Sequence, residues 1–182
     1  MVNIYELRLT NLQQKILRLL FVKAGISLNA LNIAKILGVS QPAVMKSLPY
    51  LEKENLIKIQ QDKESKRWSI ELNGENYKVM QLKRADNLKL IYESGLADFL
   101  EKEFAGATII LFGSYSRGDD TIKSDIDFAV IGRKDKLIDL EKFEKIFERE
   151  ININFYESFK NIHKNLKENL FNGIILAGGI RL

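Results

Sequence analysis

Asp125 and Asp127 are the residues of this 182-residue chain whose types and spacing best suit chemistry. In an extended strand alternate side chains share a face, so the run Asp125-Ile126-Asp127-Phe128 projects both carboxylates together and sends Ile126, Phe128 and Val130 into the core. A carboxylate pair of this kind seats a hard cation such as Mg²⁺ or Mn²⁺, which takes oxygen ligands and shares them with substrate phosphates. Twelve residues earlier an apolar run ends at Gly113-Ser114. Gly113 permits a tight strand-to-helix turn, which leaves the first N–H groups of residues 114–117 unpaired and available to a phosphate. Either feature alone is ordinary, since Gly-Ser is common in turns and D-x-D is common on solvated strand ends. In this order they supply a phosphate cradle and a metal seat, the minimum for metal-assisted transfer of a phosphorus group.

Three strands must hold these residues, and the apolar runs place them at 108–112, 126–131 and 151–155. Helices are expected at 137–148 and near 158–170, and the apolar, glycine-rich stretch 173–180 reads as a terminal strand or docking segment. On the third strand, alternation buries Ile151, Ile153 and Phe155 and leaves Glu150, Asn152, Asn154 and Tyr156 on the polar side.

The stretches LFGSYSRG and SDIDFAV resemble the minimal nucleotidyltransferases of the DNA polymerase beta-like superfamily, whose hallmark is G-S followed about a dozen residues later by D-x-D. The resemblance covers roughly residues 105–182. It implies an α/β (α+β) domain with a mixed sheet, a nucleoside triphosphate substrate, expected to be ATP, and Mg²⁺ or Mn²⁺ held by Asp125 and Asp127. It also implies that Gly113 and Ser114 grip the β and γ phosphates and that Arg117 neutralises the leaving group. Arg117 could equally pair with Asp119 or Asp120. The family carries a third carboxylate on a later strand, and the matching position here is Asn152, which is neutral and cannot act as a base. Glu150 or Glu157 could fill in. Three readings stay open: an active AMP transferase, a weakened nucleotide-sensing regulator, or an antitoxin-like partner of a small helical toxin.

The first part of the chain has a different pattern. An amphipathic helix at 10–23 with Thr10 or Asn11 as cap, a short helix at 30–37 stopped by Gly38, and a third helix capped by Ser40 with Pro42 in its first turn give a helix-turn-helix layout. Two short strands around a charged tip follow, so residues 1–73 resemble a mainly α winged helix-turn-helix domain of archaeal and bacterial regulators. That resemblance implies contact with DNA through Gln41, Lys46 and Ser47 on the third helix and Lys63, Lys66 and Arg67 on the wing. The basic excess of the chain supports it, because residues 1–73 carry five more basic than acidic residues while the remainder is close to balanced. A protein-interaction or dimerisation module is the alternative. Pro49 is expected to kink the third helix after two turns. Residues 74–104 read as a helical connector, broken near Ser94-Gly95, that packs on one domain or pairs with a second copy in a homodimer.

Composition closes off other classes. The absence of cysteine excludes disulfides and thiolate metal sites, and the single histidine, His163, makes a zinc centre improbable. No window reaches the length of a bilayer span, and the N-terminus lacks a basic-then-apolar leader, so a cytoplasmic setting without membrane contact is expected.

Overall fold

The computed structural model describes residues 9–61 and 68–180, which cluster into two compact units, Met1–Val79 and Met80–Leu182. The first unit opens with three helices, α1 (Asn11–Val22), α2 (Ala30–Leu37) and α3 (Gln41–Lys53), followed by the hairpin β1 (Ile57–Gln61) and β2 (Trp68–Leu72). Its helix ends follow from local chemistry. Thr10 and Gln13 form a reciprocal capping box on α1, with the Thr10 hydroxyl accepting from Gln13 N and the Gln13 amide oxygen accepting from Thr10 N. Gly38 ends α2 at φ +64°, where Val39 N reaches back to Ala34 O, and Ser40 caps α3 immediately afterwards.

Ile16, Leu20, Ile33, Val44, Leu48 and Leu51 close the core of this unit. Leu28 and Ile70 exchange both backbone hydrogen bonds, at 2.8 and 2.7 Å, adding a third short edge to the hairpin. Three helices with a hairpin braced in this way are the winged helix-turn-helix arrangement. The α3 helix runs through Pro49 to Lys53 without ending, with Pro49 exposed.

In the second unit, α4 (Tyr77–Glu93), inside which the boundary falls, and α5 (Leu96–Glu103) precede a four-stranded mixed sheet. The strands are β3 (Thr108–Phe112), β4 (Ile126–Ile131), β5 (Ile151–Tyr156) and β6 (Ile174–Ala177), in the order β5-β4-β3-β6. β3 is antiparallel to both neighbours, and β4 and β5 are parallel. A five-residue helix, α6 (Gly113–Arg117), follows β3; α7 (Glu141–Phe147) links β4 to β5; and α8 (Lys164–Phe171) follows a short 3-10 turn, Phe159–Asn161. The helix expected at 137–148 is therefore shorter, beginning only at Glu141, and the one expected near 158–170 is split at Ile162.

Apolar residues occupy both faces of the sheet. Ile109, Leu111, Ile126, Phe128 and Val130 pack with Ile91, Leu96, Leu100, Phe143 and Phe147, so the stretch read as a connector contributes α4 and α5 side chains to this core. On the other face Ile110, Phe112, Ala129 and Ile131 meet Phe159, Ile162 and Leu170. A strand buried on both sides reads as a continuous apolar run, and β4 does so from Phe128 onward. Truncating Leu100, which is fully buried, to alanine is expected to cost about 2–5 kcal/mol, read as a lower denaturant midpoint for the second unit.

Candidate active site

Asp127 opens β4 on the face that continues through Ala129 and Ile131, and Asp125 precedes the strand by one residue. Two registers fix its surroundings. Phe112 of β3 lies opposite Asp127 on one side, and Asn152 of β5 lies opposite it on the other. The chain turns at Gly113 directly after Phe112, at φ +77°, and an added Cβ there would lie 2.7 Å from Asp127 Oδ2. Glycine is thus required twice, for the backbone conformation and for the approach of the carboxylate. The α6 helix starts at this turn, and the Ser116 hydroxyl donates to Gly113 O at 2.8 Å.

Asn152 joins the carboxylates. Its Nδ2 donates to Asp125 Oδ2 at 3.2 Å and, more weakly, toward Asp127 Oδ1 at 3.5 Å. The amide therefore occupies the space between two like charges and eases their repulsion with one shared donor group. Partial burial raises the Asp127 carboxyl above the usual range for aspartate; the Asn152 hydrogen bond pulls it down, and the neighbouring Asp125 charge adds to the rise.

The structure thus brings Gly113, Asp125, Asp127 and Asn152 together, with Ser114 next in the chain. Arg117 is set differently: it is about half exposed and its Nε donates to Asp119 Oδ2 at 3.2 Å. Glu150 and Glu157 are exposed at the two ends of β5, and Glu150 O accepts from Ile126 N. His163 lies exposed at the start of α8.

Do these residues fit a divalent cation? Among the described residues no group of three or more histidines, cysteines and acids gathers. The donor set is two carboxylates and one amide, and the amide presents its nitrogen to both acids. A hard cation that keeps several waters and shares its remaining positions with phosphate oxygens needs only one or two protein carboxylates. Asp125 and Asp127 meet that requirement, provided the Asn152 amide turns its oxygen inward or withdraws.

One buried ionic cluster leaves no mark in the sequence pattern. Asp120, whose side chain is fully buried, pairs with Lys83 on α4 and with Arg149 just before β5. Burial pulls the Lys83 ammonium below its ordinary pKa, and the adjacent Asp120 carboxylate works against that. An acid in a turn stretch, next to the exposed Asp119, carries no periodic signal, so only the fold reveals its burial. A cleft of about 540 Å³ lined by Glu101, Phe104, Thr108, Ile131 and Ser158 opens at the opposite end of β3 and β4 from the carboxylates.

In the first unit, Gln41 and Lys46 are exposed on α3. Ser47 is not with them. It is buried, its hydroxyl donates back to Ala43 O at 3.0 Å, and its carbonyl accepts from Gln13 Nε2 at 3.3 Å, so it serves helix packing rather than a groove-facing surface. Lys63, Lys66 and Arg67 lie outside the described residues.

Residues 93–176 match the nucleotidyltransferase domain family. That match lies within the second unit. No curated protein matches the chain. Among solved structures, similarity extends to the adhesin competence repressor AdcR of Streptococcus pyogenes, 24% identical over 57% of this chain and 72% of that one, with a TM-score of 0.43. A ZitR variant of Lactococcus lactis is 22% identical over 57% and 68% of the two chains, with a TM-score of 0.42. MepR of S. aureus in a DNA complex is 25% identical over 52% and 81%, with a TM-score of 0.38. No described helix is long and apolar enough to cross a membrane.

Two outcomes are expected from this geometry. Because the Asp127 pKa is raised in the folded state, its ionisation opposes folding, and the penalty grows as pH rises from the ordinary aspartate range through the raised value. Asp127→Asn is therefore expected to raise the melting temperature at neutral pH, and the gain should vanish under acid conditions where Asp127 is protonated anyway. Gly113→Ala is expected to displace the Asp127 carboxylate, visible as altered side-chain carboxyl chemical shifts with the rest of the sheet unchanged.

Proposed function

We propose that the nucleotidyltransferase domain moves AMP from ATP to an acceptor, using Asp125 and Asp127 to hold a divalent cation. The observation that carries the reading is that Asp127 lies against the turn at Gly113 while the Asn152 amide reaches both Asp127 and Asp125. In the reaction an acceptor oxygen forms a bond to the α-phosphorus, the bond from that phosphorus to the β-phosphate bridging oxygen breaks, and pyrophosphate leaves with the electron pair. Bound Mg²⁺ or Mn²⁺ supplies charge neutralisation for the triphosphate.

The residues of the chain do the rest. Asp125 and Asp127 would hold that cation. Ser114 and the N–H groups following Gly113 bind the β and γ oxygens, and Arg117, released from Asp119, moves onto the departing pyrophosphate. Asn152 accepts no proton from the acceptor, so the acceptor arrives ionised or loses its proton to water. The winged unit binds DNA through Gln41 and Lys46 on α3, and Lys63, Lys66 and Arg67, outside the described residues, add phosphate contacts, which gives the transferase a nucleic-acid address.

A second reading, a nucleotide-binding regulator with little transfer, is favoured by one observation: an amide bridges the two acids at the position where the resemblance implies a third carboxylate. Antitoxin-like neutralisation of a helical partner, or a homodimer, would add a partner to either reading. The deciding experiment incubates the full chain with Mn²⁺ and α-labelled ATP, following pyrophosphate and label on protein and DNA acceptors. Transfer that disappears in Asp125→Ala/Asp127→Ala supports the enzyme, and Asn152→Asp is expected to raise it by about a hundredfold by restoring a base. Metal-dependent ATP binding without transfer, even in Asn152→Asp, sinks the enzyme reading and leaves the regulator.

A further inference from the structure

Asp120, Lys83, Asn87 and Arg149 form a buried polar cluster that the transfer chemistry does not use. Lys83 Nζ donates to both Asp120 Oδ1 and, at 2.8 Å, Asp120 O. Asn87 Nδ2 donates to Asp120 Oδ1 at 2.8 Å and to Tyr115 O of α6 at 3.0 Å. Arg149 Nη2 meets Asp120 Oδ2 at 3.0 Å, while its Nη1 donates to Thr121 O and, at 3.1 Å, to Ser124 O. The guanidinium also lies over the Tyr115 ring, 5.8 Å from its centroid.

Those two carbonyls close a small turn. Ser124 N donates to Thr121 O at 2.9 Å, Thr121 N donates to Ser124 Oγ at 3.0 Å, and Asp125 follows directly. Arg149 in turn lies two residues before β5, where Ile151 N donates to Glu144 Oε1 and Asn152 reaches the carboxylates. One planar side chain therefore fixes the loop that delivers Asp125 and the strand start that delivers Asn152. A guanidinium suits this task because its rigid fork donates in several directions at once, which an ammonium cannot do.

We propose that Arg149, with Asp120 as its buried counterion, is the positioning residue of the metal site: it locks the 121–124 turn to the start of β5 so that the Asp125 carboxylate stays beside Asp127. The proposal rests on the reading of Asp125 and Asp127 as a cation seat. Buried ion pairs contribute little net stability relative to apolar packing, so conformational definition is the sensible role for one at this place. Lys83 and Asn87 act one step further out, holding Asp120 in line.

The test compares the full-length protein with Arg149→Lys, Asp120→Asn and Leu100→Ala, the last a core truncation in no contact role at the site. Three quantities are read: Mn²⁺ affinity by electron paramagnetic resonance, melting temperature, and amide exchange at Ser124 and Ile126. Arg149→Lys keeps a cation next to Asp120 and is expected to lose about tenfold or more in Mn²⁺ affinity, the scale of lost outer-shell support, with faster exchange at both amides. Leu100→Ala should lower the melting temperature and leave Mn²⁺ affinity within twofold of the unaltered protein. Equal Mn²⁺ losses in Leu100→Ala and Arg149→Lys, or unchanged exchange at Ser124 and Ile126 in Arg149→Lys, would overturn the proposal. Failure of the unaltered protein to bind Mn²⁺ overturns the cation seat itself, and with it the proposal.

Discussion

Two like charges held side by side repel, and the second unit is arranged so that Asp125 and Asp127 can tolerate each other. The β4 strand has no freedom to separate them, because its residues from Phe128 onward are buried on both faces of the sheet. Relief comes from outside the strand instead. The register of β5 places the Asn152 amide between the acids, and the turn after β3 leaves room for the Asp127 carboxylate where any side chain on Gly113 would stand. A cation is the stronger answer to the same repulsion, since it faces both charges with two of its own.

Much of this was legible in the sequence. The sheet face of Asp125 and Asp127, the turn at Gly113 and the polar side of β5 all follow from period-two alternation beside strong apolar runs. The helix caps at Thr10, Gly38 and Ser40 have local chemical signatures. What was not legible depends on distant partners. Ser47 looks like any polar residue on α3 until α1 packs beside it and Gln13 takes its carbonyl. Asp120 sits next to the exposed Asp119 in a stretch of turn residues, and its burial is decided by Lys83 and Arg149, 37 and 29 positions away in the chain. The late start of α7 has a local basis: residues 133–136 are all charged and Leu137 is exposed, so before Glu141 only Ile138 and Leu140 pack on the core, too few for an apolar helix face.

The buried cluster also shows where stability and function pull apart. Removing Lys83, Asp120 and Arg149 from water costs several kcal/mol per ion before their mutual attraction is counted, and an apolar core of the same volume would stabilise the unit more. The cluster makes sense as a device that holds a loop in one conformation. Its contacts run to main-chain oxygens of residues 120, 121 and 124, which no apolar side chain could engage.

In the proposed reading, Asp125 and Asp127 seat a cation that carries a nucleotide. A crystal of the protein grown with Mn²⁺ and a non-hydrolysable ATP analogue tests it most directly, through the anomalous signal of the metal. The expected result is a peak about 2.1 Å from oxygens of both carboxylates, typical of a hard divalent ion, with the triphosphate against the turn at Gly113 and the Asn152 nitrogen no longer bridging the acids. A nucleotide bound elsewhere, with Asn152 still donating to Asp125 and no metal between the carboxylates, would contradict it.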